Sequence, residues 1–143
     1  MKADAMTEAA VKVVLDKLAE GYAKRDVALL RAVLAPDPDV VMYGTGADEK
    51  RVGLAEIQAH AERDWSQSEA VSLTYGWTSV SAAGSVAWVA ADAAFNVKAG
   101  GQAMTLPARI TFVLEKRGEQ WLIVHAHASF PAAGQAEGES FPT

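Results

Sequence analysis

Among the residues of the second half of the chain whose side chains can move protons or hold a charge, four stand within apolar stretches. Asp92 lies in the otherwise uncharged stretch 87–95, where a carboxylate among small apolar side chains must pair, face water or hold a proton. Arg109 lies in an apolar stretch of its own, and its guanidinium donates in a fixed fork that suits an anionic oxygen. His125 and His127 are two residues apart, so they share one face if this stretch is a strand.

These residue types suggest general acid–base chemistry. We interpret Asp92 as a candidate acid or base, and Arg109 or His125 as the group that would steady a developing oxyanion. A structural interpretation also stands for each. Asp92 would then form a salt bridge with Arg109 or lie exposed, and Arg109 would pair with Asp92 or cross a dimer interface.

The two histidines also raise the question of a metal site. Zinc or iron would need a third ligand beside His125 and His127, such as Asp92 or His60, and no ligand stands at a diagnostic spacing. The chain has no cysteine to supply a thiolate. We therefore expect no metal, and the reaction classes named below need no redox cofactor.

Aromatic residues near the predicted strand ends are candidates for shaping a ligand pocket. Tyr43 precedes a glycine-bearing loop, Trp65 ends a predicted helix, and Trp88 lies on the same strand as Asp92. Tryptophans at such positions are more often part of the core than ligand contacts. We expect Tyr43, Trp65, Trp88 and His127 to contact a bound ligand.

Length and composition limit the function classes. With 143 residues, 50% of them hydrophobic, the chain has the size and composition of one globular domain. A formal net charge of −5 argues against a nucleic-acid-binding surface, which needs clustered Lys and Arg. No apolar run approaches a membrane span, and the charged N-terminal stretch does not resemble a secretory signal. We expect a soluble cytoplasmic protein without a nucleic-acid or membrane partner.

The order of elements predicts the α+β class. Apolar residues at spacings of three and four indicate a first helix, with the stripe Val11, Val14, Leu15, Leu18, Ala19 and Tyr22. A short helix, a short strand at 40–43 and a third helix follow, and alternating patterns then indicate four long strands with short joins. The predicted order is α-α-β-α-β-β-β-β. We expect a curved antiparallel sheet wrapped around the N-terminal helices as a cystatin-like cone, with one domain at 1–131 and a flexible tail at 132–143.

The hairpin turns suggest which side chains share a face of the sheet. A turn at 117–119 would place Arg109 opposite His127, and the preceding hairpin would place Asp92 beside Arg109. Asp92, Arg109, His125 and His127 would then form one polar face. That face either lines the cone or forms the outer surface of the sheet.

The C-terminal stretch carries a family resemblance. Arg109-Ile-Thr111-Phe-Val-Leu, a basic turn and Trp121-Leu-Ile-Val-His125-Ala-His127-Ala-Ser129 resemble the ending of the nuclear transport factor 2-like superfamily, in particular its SnoaL-like members. The association domain of the calcium/calmodulin-dependent kinase shares much of this ending, and its glycine, helix and Trp-Ser stretch is similar to residues 53–66. The resemblance covers about residues 7 to 131.

This resemblance implies a small-molecule-binding cone, usually a homodimer joined through the outer face of the sheet. Members include isomerases, cyclases and dehydratases as well as non-catalytic assembly modules. The isomerase tyrosine and aspartate would fall near Leu18 and Met42, which are apolar here. These two departures favour a non-catalytic module, whereas Asp92, Arg109 and His125 lead us to expect a cyclase-, isomerase- or dehydratase-type acid–base activity on a small apolar substrate. The alternative is a non-catalytic dimerisation or ligand-sensing module.

Overall fold

The computed structural model describes all 143 residues and contains three helices and six strands. In chain order the elements are α1 (Ala5–Lys24), α2 (Val27–Val33), β1 (Val41–Tyr43), β2 (Lys50–Val52), α3 (Leu54–Ser66), β3 (Ala70–Ala83), β4 (Val86–Ala99), β5 (Gln102–Arg117) and β6 (Gln120–Ser129). The α+β class, the N-terminal helices and the curved sheet are as predicted. The sequence-based order lacks β2, which lies in the glycine-bearing loop and is too short to show an alternating pattern.

Local signals set the limits of the two N-terminal helices. Asp4 caps α1 by accepting a hydrogen bond from the Thr7 amide at 2.7 Å, so the helix begins at Ala5. Arg25 ends α1 in the left-handed conformation, and Asp26 then caps α2 through the Leu29 amide. The tight turn at 25–26 packs α2 beside α1 over one end of the sheet.

The strands form one sheet in the order β2-β1-β6-β5-β4-β3. All pairs are antiparallel except β1 with β6, which are parallel. Two irregularities interrupt the ladders. Gly76 and Trp77 of β3 together face Asp92 of β4, and Val124 of β6 is an extra residue between the pairs Val113–His125 and Leu114–Ile123. Such bulges bend a strand and increase its twist, so the long sheet curls around the helices.

The core fills the space between α1 and the inner face of the sheet. Its most enclosed side chains come from α1, β4, β5 and β6: Val11, Leu15, Val89, Phe112, Leu114 and Ile123. Phe112 is 1% exposed and meets the ring of Tyr75 edge-on at 6.2 Å. This cluster is continuous from α1 to α3, so the helices and the sheet share one core.

Residues 131–143 are exposed and contribute no helix or strand. The division into a domain at 1–131 and a flexible tail at 132–143 stays a prediction. None of the three helices has the length and apolar character needed to cross a membrane.

Candidate functional site

An apolar cavity of about 140 Å³ lies inside the curl of the sheet, between α1, α2, α3 and the inner faces of β4, β5 and β6. Its wall is formed mostly by hydrophobic side chains from all these elements, including Leu18, Leu34, Ile57, Phe95, Phe112 and Ala126. Apart from Tyr43 of β1, its polar side chains come from the last turns of α1, from β2 and from α3. We call Tyr22, Arg51, His60 and Asp64 the cavity polar cluster.

Tyr22 and Asp64 form the best-defined contact of this cluster. The Tyr22 hydroxyl donates to Asp64 Oδ2 at 2.7 Å, which joins the last turns of α1 and α3. Burial raises the pKa of Tyr22, and the hydrogen bond to Asp64 raises it further. The phenol therefore stays protonated at neutral pH. The other oxygen of Asp64, Oδ1, has no hydrogen-bond partner within the protein.

The contact between Arg51 and His60 fixes the tautomer of the imidazole. Arg51 Nε lies 3.2 Å from His60 Nδ1, and because a guanidinium only donates, Nδ1 must accept. The proton of the neutral ring is therefore on Nε2. That atom lies 3.6 Å from Asp64 Oδ2 and 3.8 Å from Glu49 Oε1, so the N–H group points between two carboxylates.

Glu49 supports the cluster from outside the cavity wall. Its Oε1 accepts from Arg63 at 2.9 Å and its Oε2 accepts from the Gly46 amide at 2.7 Å. Arg63 also binds Asp48 at 2.8 Å. This network ties the loop before β2 to α3 and thereby holds His60 in position.

Two buried tyrosines give a testable pH dependence of stability. Burial is the main cause of the raised pKa of both Tyr22 and Tyr75, whose hydroxyl donates to the Leu15 carbonyl at 3.0 Å. The unfolded chain loses these protons near pH 10, whereas the folded protein keeps them. The unfolding free energy should therefore fall as pH rises above about 10, by up to about 1.4 kcal/mol per pH unit for each tyrosine.

Urea unfolding between pH 8 and pH 11 measures this effect. The double variant Tyr22→Phe, Tyr75→Phe should show a clearly shallower fall than the wild type. Tyr43→Phe, which replaces the exposed third tyrosine, should keep the wild-type slope. Equal slopes in all three proteins would contradict the expectation.

The four polar residues singled out from the sequence share one face, which is the outer face of the sheet. Asp92, Arg109, His125 and His127 border a shallow groove there with the exposed Trp77. Asp92 and Arg109 are direct neighbours across β4 and β5, as predicted. Their side chains form no ion pair, and Arg109 instead donates a hydrogen bond to the Phe130 carbonyl at 3.3 Å. The sheet separates this groove from the interior cavity.

The pairing of β5 with β6 differs from the prediction. Arg109 pairs with Ser129 rather than with His127, which pairs with Thr111. The turn between β5 and β6 has two residues instead of the predicted three, which shifts the pairing of the strands by one residue. The bulge at Val124 shifts the pairing by one residue more. Because side chains alternate between the two faces of a strand, a total shift of two residues leaves the histidines on the predicted face.

The two histidines have different environments. His125 Nδ1 lies 2.7 Å from the Val41 carbonyl and must carry the proton, because a carbonyl only accepts. His127 is exposed, and its ring lies 5.0 Å from that of Tyr43. Nowhere does the structure bring three or more His, Asp or Glu side chains together in an arrangement for a metal ion.

The aromatic residues expected to contact a ligand lie in three different places. Tyr43 lines the interior cavity at its edge and is 41% exposed. Trp65 is buried, donates from Nε1 to the Tyr22 carbonyl at 2.9 Å and is not part of the cavity wall. Trp88 is half-buried on the outer side of β4. The ligand-binding and catalytic roles of the sequence-selected residues stay predictions.

Sequence reasoning missed most of the cavity polar cluster, although α3 carried a signal. The core residues Ile57, Ala61 and Trp65 form the buried stripe of this helix, and His60 and Asp64 each directly precede one of them. Side chains at these positions flank the apolar stripe. They therefore reach the interior rather than the solvent face of the helix.

Comparison with known proteins agrees with this architecture. A nuclear transport factor 2-like protein from Salmonella enterica serovar Typhimurium superposes with a TM-score of 0.83 at 19% identity, covering 97% of this chain and 100% of that one. A candidate dehydratase of the same family from Streptomyces avermitilis gives a TM-score of 0.79 at 16% identity, with coverages of 87% and 96%. A candidate calcium/calmodulin-dependent protein kinase II association domain from Xanthomonas campestris gives 0.75 at 24% identity, with coverages of 86% and 86%.

No protein with a curated description matches the chain significantly. The sequence pattern of the SnoaL-like domain matches residues 11–133, from the first turns of α1 to just beyond β6. This match covers most of the chain, and the curved sheet around a hollow is the shape that the family resemblance implies. The chain belongs to the SnoaL-like domain family.

Proposed function

We propose that the interior cavity binds a small, largely apolar molecule and that Asp64 transfers a proton to or from it. The observation that carries the proposal is the position of the cavity polar cluster at one side of an otherwise apolar chamber. Apolar chambers with a few convergent polar groups are the usual form of small-molecule sites. Asp64 is only half-buried there, so it stays accessible to water as well as to a ligand.

The hydrogen bonds assign different roles to the members of the cluster. Asp64 keeps one oxygen free, so it can act as the base, while its other oxygen is held by Tyr22. His60 Nδ1 is occupied by Arg51 and cannot accept a proton, and its Nε2 lies near Asp64 Oδ2 at 3.6 Å without a hydrogen bond, so this ring is not assigned the role of the base. Arg51 has free Nη donors that would stabilise negative charge on a substrate oxygen.

These roles suit reactions that begin with loss of a proton beside a carbonyl or hydroxyl group. Dehydration, isomerisation and cyclisation all need a base and a group that stabilises the resulting oxyanion, with no redox step. The similar protein from Streptomyces avermitilis, named as a candidate dehydratase, supports this range of reactions. The catalytic roles predicted for Asp92, Arg109 and His125 have weaker support, because these side chains lie on the other side of the sheet.

The proposal can be tested without knowledge of the natural substrate. The protein is mixed in D₂O with ketones of one, two and four rings, and NMR follows both binding and loss of the hydrogens beside the carbonyl. We expect at least one ketone to shift the methyl signals of Ala61 and Ala126 in the cavity wall and to exchange faster than in buffer. Binding without exchange would support the ligand-sensing alternative, and no binding by any ketone would contradict the proposal.

The outer face of the sheet favours a second role, in homodimer formation. Trp77 is 64% exposed there, beside Asp92 and Arg109, which carry opposite charges and do not pair with each other. A two-fold axis through this face would bring each Asp92 towards the Arg109 of a second copy and cover both tryptophans. We therefore propose a homodimer joined through this face. The cytoplasmic location expected from the sequence stays a prediction.

Sedimentation equilibrium tests the homodimer. The wild type should sediment with the mass of two chains, and Trp77→Asp should sediment as one chain because it places a charge at the centre of the interface. Val13→Asp alters an exposed apolar residue on α1, away from this face, and should stay dimeric. A wild-type mass of one chain would refute the assignment.

A further inference from the structure

The size and charge of the interior cavity limit what can occupy it. We propose that its ligand is an uncharged single-ring molecule with one carbonyl or hydroxyl oxygen, and that Arg51 binds this oxygen. This inference rests on the proposed function and narrows it to a class of substrate. It draws on three features of the structure: the volume, the free donors of Arg51 and the balance of charges around them.

The volume sets the number of rings. An apolar cavity of about 150 Å³ in another protein accommodates benzene, so the 140 Å³ found here holds one six-membered ring with a small substituent. A second fused ring would exceed this volume and would project from the open edge of the cavity, where Tyr43 is 41% exposed. The cavity wall includes Phe112 and Ile110, which are 1% and 5% exposed and belong to the hydrophobic core. Moving such side chains is costly, because protein interiors are close-packed.

Arg51 supplies the free hydrogen-bond donors. Each of the other five arginines bonds to at least one oxygen atom of the protein. Arg51 bonds only to an imidazole nitrogen, through Nε, and forms no ion pair. Its Nη groups are not sealed in the interior, since no buried nitrogen lacks a partner, and Arg51 is one of the residues that line the cavity. A half-buried guanidinium with unused donors is suited to a ligand oxygen.

The surrounding charges argue against an anionic ligand. Arg63 is already bound by Asp48 and Glu49, and Asp64 adds a third carboxylate beside Arg51. Among the Arg, Lys, Asp and Glu side chains, only Arg51 and Asp64 line the cavity itself, so Arg51 offers no excess positive charge to an anion. A ligand that brings its own carboxylate would meet Asp64 at close range. A neutral oxygen gains the hydrogen bond from Arg51 without that repulsion.

Four probes separate these features by NMR titration of the full chain. Cyclohexanone has the proposed size and oxygen, methylenecyclohexane replaces the oxygen by CH₂, cyclohexanecarboxylate adds a negative charge, and 1-decalone adds a second ring. We expect cyclohexanone to bind about tenfold or more tightly than methylenecyclohexane, as a hydrogen bond to a charged donor implies. Cyclohexanecarboxylate and 1-decalone should bind more weakly than cyclohexanone.

The variant Arg51→Met tests the assigned donor. It should bind cyclohexanone and methylenecyclohexane equally, whereas Arg31→Met, on the outer side of α2, should keep the wild-type preference. An unchanged preference in Arg51→Met would overturn the role of Arg51. Equal or tighter binding of 1-decalone would overturn the single-ring assignment, and tighter binding of cyclohexanecarboxylate would overturn the neutral charge. If none of the four probes binds while a larger ketone does, the substrate class is wrong but the proposed function stands. If no ketone of any size binds, the proposed function itself fails.

Discussion

Replacing Asp64 by asparagine should reduce ketone hydrogen exchange in the cavity by about 10²- to 10⁴-fold, the usual contribution of a general base. Asparagine has nearly the same shape and still offers an oxygen to the Tyr22 hydroxyl, which donates to this side chain at 2.7 Å. The fold should therefore persist while the basic oxygen is lost. Rates of α-hydrogen exchange at saturating ketone, followed by NMR, measure the effect.

Two further variants locate the base. Asp48→Asn removes an exposed carboxylate from the nearby loop, where Asp48 binds Arg63, and should keep most of the exchange rate. Asp92→Asn tests the base predicted from the sequence alone. Loss of exchange in Asp92→Asn, with exchange retained in Asp64→Asn, would move the catalytic site to the outer face of the sheet.

Replacing Phe112 by alanine should lower the free energy of unfolding by about 3–5 kcal/mol. The ring is 1% exposed, lies at the centre of β5 and packs edge-on against Tyr75 at 6.2 Å. Its removal would leave a void beside an existing cavity, where few neighbouring atoms can move in to fill it. Because the free energy of unfolding of a domain is about 5–15 kcal/mol, this loss would be a large part of the total.

Urea unfolding followed by tryptophan fluorescence measures this loss. Met104→Ala, an exposed position on the same strand, should change stability by about 0.5 kcal/mol or less. Phe112→Leu should lie between the two, because it keeps most of the apolar volume. A loss below about 1 kcal/mol in Phe112→Ala would mean that the inner face of β5 is less tightly packed than the structure shows.

The fold was largely predictable because long elements repeat their pattern many times. The spacing of three and four residues along α1 and the alternation along β3 each extend over several turns or pairs, so one irregular residue does not hide them. β2 has only three residues and gives no such repeat. The bulges at Trp77 and Val124 could not be predicted from the sequence either, because a bulge depends on how two strands pair rather than on either strand alone.

The candidate site was harder to predict for a related reason. Asp92 and His125 attracted attention because they interrupt apolar strands, but an interruption does not reveal which face of the sheet it occupies. Asp64 and Arg51 lie among other charged residues in the sequence and look like ordinary surface positions. Only the packing of α3 across the mouth of the cone brings them to the cavity. Their role depends on contacts between distant elements, which residue spacing does not encode.

The two bulges have a consequence for protein engineering. If backbone curvature keeps the chamber open, its wall can be altered without closing it. Substitutions at the partly exposed positions Met42 and Ala128 should then reshape the binding preference at little cost in stability. Deleting Val124 would instead join His125 directly to Ile123 in a regular ladder and remove the bend that the bulge puts into β6. To change the ligand that the cavity binds, the residues of its wall should therefore be varied and the two β-bulges preserved.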